Sequence, residues 1–527
     1  MKNRSNTTAA VKITIAICAL VLTERFLAGA CTVIVVGPKA SADGSAITSQ
    51  TADGMFDSNI TAIPGQAFPQ GAMADVFWNI TGQSTAAPVK IGQVPQARKT
   101  YTYFHVGYPF MNEHQLAMGE STLAQQSKLI TIPGKKAILT IEQLQVFALQ
   151  RTKTAREAIK LMGALAEKYG FLGSYLSQGE SLSIADTREC WVFEIFSVGR
   201  DWDPKSGKPG AVWAARRVPD DHVFCMANLS RIREIDLTKD DFFMACGNYK
   251  QTAIDNGLYD PKSGRPFIWQ EAYTPRKGSW SLKAAFVRNR LYMFHKTFAP
   301  SGKWTPATKI TDYPFSIKPE KKVKVQDVIA LMRSTFKGTP LDPEANPAWR
   351  GSRLATPFPS DDMERLLKTK FHRGIAVRDC SHGFVSQSRA SLPDPIGGVA
   401  WFFFDNPHTS CFVPVYAGVR SFPTSWRTYD RRNFTRKSAR WAFAQIDNMV
   451  NRRYQSMIRD LKAVRDPLEA KFFAGQSAVE AKSLEMHKRS PSDAAEFLTD
   501  YTNGCMERAE RAYWDLIDSL IAKYDDK

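Results

Sequence analysis

The residue of this 527-residue chain best placed to do chemistry is a cysteine that directly follows a predicted export signal. The chain starts with a positively charged end, continues with an apolar core over residues 13–22, and then carries small residues at 28–30, the pattern that precedes a signal cleavage site. Cleavage after Ala30 makes Cys31 the first residue of the mature protein. Its thiol is then a nucleophile, and its own α-amine, with a pKa of about 7.7–8.0 in peptides, can accept the proton. The sequence therefore predicts acyl-transfer chemistry at Cys31 in an exported protein, periplasmic or extracellular.

Motifs for other common chemistries do not occur in the sequence. It contains no Walker phosphate loop, no Rossmann glycine fingerprint, no HExxH zinc helix and no GxSxG elbow, and its eight histidines have no metal-ligand spacing. We therefore predict no metal and no cofactor. Once Cys18 and Cys31 are set aside, six cysteines remain, and they are either paired in the oxidising compartment or buried as small apolar side chains (Cys190, Cys225, Cys246, Cys380, Cys411 and Cys505).

Composition and charge exclude several classes of protein. Hydrophobic residues make up 43% and charged residues 23% of the chain, which is typical of a globular protein. No stretch of about eighteen apolar residues occurs, so we expect no membrane span after signal cleavage. Lys and Arg exceed Asp and Glu by 70 to 52, but the positive charges are spread along the chain. The densest basic cluster, 431–440, is interpreted as solvated surface, and no nucleic-acid partner is predicted.

Hairpins and helices share the chain without regular alternation, which predicts an α+β fold. Four strand pairs flank turn signals and are apolar on both faces, which indicates sheets covered on both sides (Thr32–Val36 with Ala46–Ser49, Ser181–Ala185 with Cys190–Phe196, Ala211–Arg217 with His222–Ala227, and Gly398–Phe404 with Ser410–Tyr416). Capping-box spacing at Thr140 and Thr154 predicts two helix starts, the second helix ending at Gly170, and Val325–Phe336 is a further amphipathic helix.

The last ninety residues differ from the rest, because strand signals vanish there and apolar residues take helical spacing. A final helix is predicted to begin near Ser490, with Pro491 in its first turn. We therefore divide the chain into a signal peptide over 1–30, a catalytic domain over 31–435 and a helical extension over 436–527.

Several sequence blocks, in order, resemble one family, the dipeptidase A family of N-terminal-nucleophile cysteine hydrolases (peptidase family C69). The opening block is Cys-Thr-Val-Ile-Val-Val-Gly-Pro-Lys-Ala-Ser-Ala-Asp-Gly-Ser, beginning at Cys31. The similarity continues through further blocks across nearly all of the mature chain (112–122, 154–158, 179–186, 210–215, 227–232, 313–319, 385–389, 396–398, 409–414 and 497–501).

The resemblance implies a four-layer αββα fold that hydrolyses short peptides, chiefly dipeptides, through a thioester, without metal or cofactor. It implies that Cys31 attacks the scissile carbonyl and that its α-amine acts as general base and then protonates the leaving amine. It further implies that Asp53 hydrogen-bonds the amino terminus of the nucleophile and that Asn228 donates to the oxyanion. Arg389 resembles the active-site arginine of the related bile-salt and penicillin V acylases.

One position departs from the family. Members commonly carry an arginine three residues before Asp53, where this chain has Gln50. A positive group beside the thiol would favour the thiolate, so its absence must be compensated by another group, such as Arg389, or must slow the enzyme or change its substrates. Gln50 and Glu120 are candidate substrate-binding residues. Glu120 lines the pocket or contacts a substrate amine, or else it is a surface or structural residue.

Two other functions stay open at the level of sequence. The same machinery could act on non-peptide acyl-amides, as in the bile-salt and penicillin acylases. Alternatively, Cys31 could be a lipid-acylated anchor of a non-enzymatic protein, although the usual Leu three residues before such a cysteine is Ala28 here. The sequence also leaves the choice between a monomer and a homo-oligomer open.

Overall fold

The sheets of the protein are all antiparallel. The computed structural model describes residues 30–83, 87–131, 136–174, 178–278 and 280–525. Apart from Ala30, the predicted signal peptide lies outside these described residues. The strands are, in chain order, β1 (Val33–Val36), β2 (Ala46–Asp53), β3 (Thr61–Ile63), β4 (Met73–Trp78), β5 (Val89–Pro95), β6 (Tyr103–His105), β7 (Met111–Asn112), β8 (Ala117–Ala124), β9 (Gln178–Ala185), β10 (Cys190–Phe196), β11 (Val212–Val218), β12 (Val223–Met226), β13 (Phe243–Ala245), β14 (Cys380–Ser388), β15 (Val399–Phe404) and β16 (Val413–Tyr416).

Two large sheets form the centre of the molecule. One has six strands in the order β12-β1-β2-β14-β15-β16, and the other has eight in the order β13-β11-β10-β9-β8-β7-β6-β3; β4 and β5 form a separate pair. The two large sheets face each other where β1 and β2 meet β8 and β9. The approach is so close that a Cβ at Gly119 would collide with the carbonyl oxygen of Ser49. Every residue of β2 and β8 is buried, as expected of sheets that are covered on both sides.

Helices cover the outer faces of both sheets. They are α1 (Ile141–Arg151), α2 (Ala155–Tyr169), α3 (Gln251–Asp255), α4 (Trp269–Tyr273), α5 (Ala285–Phe298), α6 (Val325–Met332), α7 (Asp361–Leu367), α8 (Asp394–Gly397), α9 (Ala439–Arg452), α10 (Tyr454–Arg489) and α11 (Pro491–Lys523). The helices α1 and α2 pack on the eight-stranded sheet, whereas α5, α6 and α9 to α11 pack on the six-stranded sheet. The prediction of a mixed α and β fold is confirmed.

Local signals predicted some of the element boundaries in this fold. Thr154 and Glu157 form the predicted capping box, and α2 ends at Gly170. Thr140 precedes α1 but makes no side-chain cap bond. The predicted helix Val325–Phe336 ends earlier, at Met332, because the chain turns after Arg333, whose guanidinium bonds Glu469 on α10.

One predicted hairpin is wrong. The strands expected at Ala211–Arg217 and His222–Ala227 exist, but β11 belongs to the eight-stranded sheet and β12 to the six-stranded sheet. The turn at 219–221 therefore carries the chain from one sheet to the other. Since both strands are apolar on both faces, their pattern contains no information about which neighbour each one pairs with.

The C-terminal helices share the core of the six-stranded sheet. Leu516, Ile517 and Leu520 of α11 are buried in the same cluster as the apolar residues of β15 and β16. Pro491 lies in the first turn of α11 as predicted, and the Ser490 hydroxyl accepts from the backbone N–H of Asp493 at 3.3 Å. The predicted boundary at 435/436 falls between β16 and α9.

All cysteines that the structure describes are free and buried, so the apolar alternative holds for the six that follow Cys31. The basic cluster over 431–440 is only partly solvated, because Arg440 is buried in an ion pair with Asp405. None of the described helices is long and apolar enough to cross a bilayer.

Candidate active site

Strand register brings Cys31, Asp53 and Asn228 to one end of the six-stranded sheet. The residue after Cys31, Thr32, bridges to Thr51 of β2, so Cys31 lies beside the end of β2 at Asp53. On its other side, β1 pairs with β12 in the register Val33 to Met226, which places Asn228, just past β12, next to the cysteine. Three residues that are far apart in sequence therefore surround the predicted nucleophile.

A buried arginine that the sequence did not reveal connects these groups. Arg290 of α5 is fully buried, and its Nη1 donates to the carbonyl of Cys31 and to Thr32 Oγ1, both at 2.8 Å. Its Nη2 donates to the carbonyl of Ala227 at 3.0 Å and to Asn228 Oδ1 at 2.8 Å. Arg290 thus fixes the start of β1 against the end of β12.

A second arginine pairs with the predicted acid. Arg373 forms an ion pair with Asp53, and its guanidinium also donates to the carbonyl oxygen of Ala30. That same carbonyl accepts from Arg290 Nη1 at 3.1 Å. The carbonyl of the residue just before Cys31 is therefore held by two cations.

Burial dominates the electrostatics of Asp53. Only 2% of this residue is exposed, and burial raises the pKa of its carboxyl despite the opposing charges of Arg373 and Arg290. Its Oδ1 atom has no hydrogen-bond partner among the described residues. One carboxylate oxygen beside the nucleophile is thus free to accept a proton donor such as an α-amine.

The thiol of Cys31 is protonated in this arrangement. Burial, followed by the negative charges of Glu120 and Asp53, raises its pKa well above the ordinary value. A hydrogen bond from the backbone of Asp53 acts in the opposite direction. Because residue 30 is still joined to Cys31, the nitrogen of the cysteine is an amide here, and a basic α-amine exists only after that bond is cut.

Glu120 belongs to a cluster of buried carboxyls beside the thiol. Gln50 Nε2 donates to its Oε2 at 3.2 Å, and Thr122 Oγ1 donates to its Oε1 at 2.9 Å. Burial raises the pKa of Glu120 to about 7, and hydrogen bonds from neighbours including Cys31 oppose that rise. Burial and the charge of Glu120 raise the pKa of the adjacent Glu180 well above its usual range.

Asn228 is held rigidly. Its φ of 63° is left-handed, its backbone N–H donates to Ser121 Oγ at 3.2 Å, and its Nδ2 donates to the carbonyl of Thr122 at 3.0 Å. Together with the Arg290 bond to its Oδ1, these contacts determine where the amide points. Nδ2 carries two hydrogens, of which the Thr122 bond uses one.

Arg389 lies away from this cluster. It follows β14, whose first residue, Cys380, pairs with Asp53, so about 30 Å of strand separates it from the thiol. There its guanidinium pairs with Glu480 of α10 at 2.6 Å and donates to two carbonyls near α8. This geometry does not fit the role expected for Arg389; the arginines that lie next to Cys31 are Arg290 and Arg373.

A cleft of about 1550 Å³ reaches the site from solvent. Its floor includes Ala30, Asp53 and Cys380, while Trp441, Asn448 and other residues of α9 form part of one wall. Aromatic side chains line much of the rest (Phe56, Trp280, Phe286, Phe358 and Tyr429). Within the described ranges there is no group of three or more His, Cys, Asp or Glu side chains arranged to hold a metal ion.

Comparison with known proteins shows the family of the chain. The model of peptidase family C69 matches residues 30–466 of the chain, a range that begins at the residue before Cys31. The chain belongs to peptidase family C69. It is therefore a hydrolase of peptide bonds.

Relatives with assigned names are distant but span most of the chain. The probable dipeptidase of Latilactobacillus sakei is 23% identical over 95% of this chain and 97% of its own length. The probable dipeptidase of Salmonella dublin is 26% identical over 75% of this chain and 82% of its own. Dipeptidase A of Lactobacillus helveticus is 24% identical over 77% of this chain and 79% of its own.

Of the six residues predicted from sequence, the structure brings five together and leaves one outside. Cys31, Asp53 and Asn228 meet at the end of the sheet, Gln50 and Glu120 are hydrogen-bonded to each other beside them, and Arg389 is remote. Sequence reasoning missed Arg290, Arg373 and Glu180. Glu180 stands inside one of the family-like blocks, which was the one available signal, whereas the two arginines occur outside every such block.

Proposed function

We propose that this protein is a cysteine dipeptidase whose nucleophile is the N-terminal thiol of Cys31, within a four-layer αββα N-terminal-nucleophile hydrolase fold. The observation that carries the proposal is that Arg290 and Arg373 both donate hydrogen bonds to the carbonyl oxygen of residue 30. This carbonyl lies beside the thiol of Cys31, the carboxyl of Asp53 and the buried amide of Asn228. A site that holds a carbonyl next to a nucleophile in a family C69 peptidase is suited to peptide-bond cleavage.

The chemistry begins once the bond between Ala30 and Cys31 is cut. The new α-amine lies next to Asp53, whose free Oδ1 can accept one of its hydrogens and orient it towards the thiol. The nearby cations Arg290 and Arg373 lower the pKa of that amine, because like charges disfavour its protonated form. The amine is then a base at neutral pH.

In the first half of the reaction, the thiol gives its proton to the α-amine and its sulfur attacks the scissile carbonyl. The second hydrogen on Asn228 Nδ2 is the proposed donor to the oxyanion of the tetrahedral intermediate. The ammonium returns the proton to the leaving amine, the carbon–nitrogen bond breaks and a thioester forms. A water molecule, deprotonated by the same amine, then hydrolyses the thioester and regenerates the thiol.

We propose that Arg290 and Arg373 take the place of the arginine that family members commonly have at the position of Gln50. The cation expected three residues before Asp53 is absent, but these two guanidiniums supply positive charge on the Asp53 side of the thiol. We propose that Gln50 instead positions Glu120, which together with it contacts the substrate.

We further propose that residues 1–30 act as an export signal and that the mature enzyme is periplasmic or extracellular. Short peptides, chiefly dipeptides, are the proposed substrates, as the names of the relatives indicate for those proteins. In the helical extension from 436, residues of α9 form part of one wall of the cleft.

The test is hydrolysis of a panel of dipeptides by the exported protein, compared with the variant Cys31→Ala. We expect turnover by the wild type and none by the variant. An N-acyl amide with no peptide bond, such as penicillin V, serves as the control substrate. Cleavage of that amide without cleavage of any dipeptide would contradict the proposal and favour an acylase.

A further inference from the structure

Among the residues that the structure describes, no cation forms an ion pair with two carboxyls beside the nucleophile, those of Glu120 and Glu180. Glu120 and Glu180 are both fully buried, and burial is the largest influence on the pKa of each. A hydrogen bond between the two carboxyls and the charge of Glu142 act on both, the charge of Glu120 also raises the pKa of Glu180, and no arginine or lysine is among the largest influences. Neither oxygen of Glu180 accepts a hydrogen bond of ordinary geometry from a described residue. Two buried carboxyls of this kind are costly unless they share a proton or bind a cation.

The third buried carboxyl of this region, that of Glu142, has a hydrogen-bond donor. Glu142 of α1 accepts a hydrogen bond from Ser174 Oγ at 2.5 Å. It is not among the groups that most affect the thiol of Cys31, whereas Glu120 and Glu180 are. The unsatisfied acceptors therefore lie on the side of the cluster that faces the nucleophile.

Covalent geometry brings one particular substrate group to this place. When the sulfur of Cys31 attacks the carbonyl carbon of a dipeptide, the α-nitrogen of the first residue is only two bonds, roughly 2.5 Å, from that carbon. Glu120 is close enough to hydrogen-bond the same sulfur. The amino terminus of a bound dipeptide is thus within reach of the carboxyl pair, and no other part of the substrate need be.

We propose that Glu120 and Glu180 form the subsite that binds the free α-ammonium of the substrate. A pair that shares one proton retains one negative charge, which matches one ammonium. The cation pairs with this charge and cancels the negative field that opposes ionisation of the thiol. A substrate with a free amino terminus therefore helps to activate the nucleophile that cleaves it, and a peptide with a blocked amino terminus does not.

This inference rests on the proposed dipeptidase function. It explains why such an enzyme would act as an exopeptidase, on substrates with a free amino terminus. It is tested on the mature wild-type enzyme with one dipeptide and the N-acetyl form of the same dipeptide. Since a hydrogen bond to a charged group contributes about 10- to 100-fold, we expect kcat/KM to fall by at least that factor on acetylation. Equal kcat/KM values for the two substrates would overturn the subsite and leave the dipeptidase proposal intact. Failure to cleave either one would instead contradict the proposed function.

Two variants test whether Glu180 is responsible for the preference for a free amino terminus. In Glu180→Gln, kcat/KM for the free dipeptide should fall by about 10- to 100-fold, whereas the value for the acetylated form should change by about twofold or less. The matched control is Glu142→Gln, a buried carboxyl in the same region, which should retain the selectivity of the wild type. Loss of selectivity in both variants, or in neither, would show that Glu180 does not bind the ammonium.

A measurement without substrate complements the kinetics. Among the charged groups, Glu120 disfavours the thiolate of Cys31 most, and it is ionised above its pKa of about 7. At a pH above that value, Glu120→Gln should therefore react faster than the wild type with iodoacetamide, and Glu142→Gln should not. An unchanged alkylation rate in a folded Glu120→Gln protein would contradict the electrostatic link between the pair and the nucleophile.

Discussion

The raised pKa of Glu120 makes the stability of the folded enzyme depend on pH. The carboxyl titrates at about 7 instead of 4.5, because burial disfavours its charged form. At 1.36 kcal/mol for each unit of pKa, this difference corresponds to about 3 kcal/mol. The folded state binds the proton more tightly than the unfolded state, so this stabilisation is complete below about pH 4.5 and is lost as the pH rises through about 7.

Glu120→Gln removes this dependence. We expect the free energy of unfolding of the wild type, from urea denaturation, to fall by about 3 kcal/mol more between about pH 4.5 and pH 8 than that of the variant. The variant should be the more stable protein at the upper pH, since a neutral amide has no charge to bury.

An exposed carboxyl provides the control. Glu496→Gln on the surface of α11 should follow the wild type at every pH. If Glu120→Gln and the wild type have parallel pH profiles, Glu120 is not titrating near neutral pH in the folded state. The electrostatic description of the carboxyl pair would then be refuted.

Three further predictions concern the residues around the nucleophile and the remote arginine. Asn228→Ala should lower kcat for dipeptides by about 10²–10³ with little change in KM, and an equal rise in KM alone would exclude an oxyanion role. Arg290→Lys retains the charge but loses the forked geometry, so kcat should fall and the pH optimum should change little; unaltered kcat would contradict its positioning role. Arg389→Met leaves the Glu480 carboxylate without its partner and should reduce the free energy of unfolding by about 3–5 kcal/mol. The folded fraction of Arg389→Met should keep the wild-type kcat, and a selective loss of kcat would restore Arg389 to the site.

Much of the fold prediction rested on patterns within short stretches of sequence. The position of Cys31 before a β-branched strand, the capping box at Thr154 and the proline at the start of α11 are each recognisable within a few residues. Asn228 could be assigned because it occupies a position in a family-like block, and Asp53 because it stands where the wider group of hydrolases has an acid. Each of these signals is contained in a short segment of the chain, and the structure agrees with their placement.

The rest depended on long-range packing. Arg290 reaches Cys31 across 259 positions of sequence, and nothing in its own helix distinguishes it from any other arginine. Arg389 is the reverse case. Its sequence motif suits an active site, but the antiparallel register of β14 with β2 places it at the far end of the sheet from Cys31. Glu180 stands between Gly179 and Ser181 in β9, and this local sequence gave no sign that its carboxyl would be buried against another.

The most direct test of the whole account is the N-terminus of the exported protein, determined by intact mass and sequencing of the terminal peptide. We predict a chain that begins at Cys31 with a free α-amine and an unmodified thiol. A chain that begins elsewhere, or an acylated Cys31, would have no general base at the nucleophile and would contradict the mechanism.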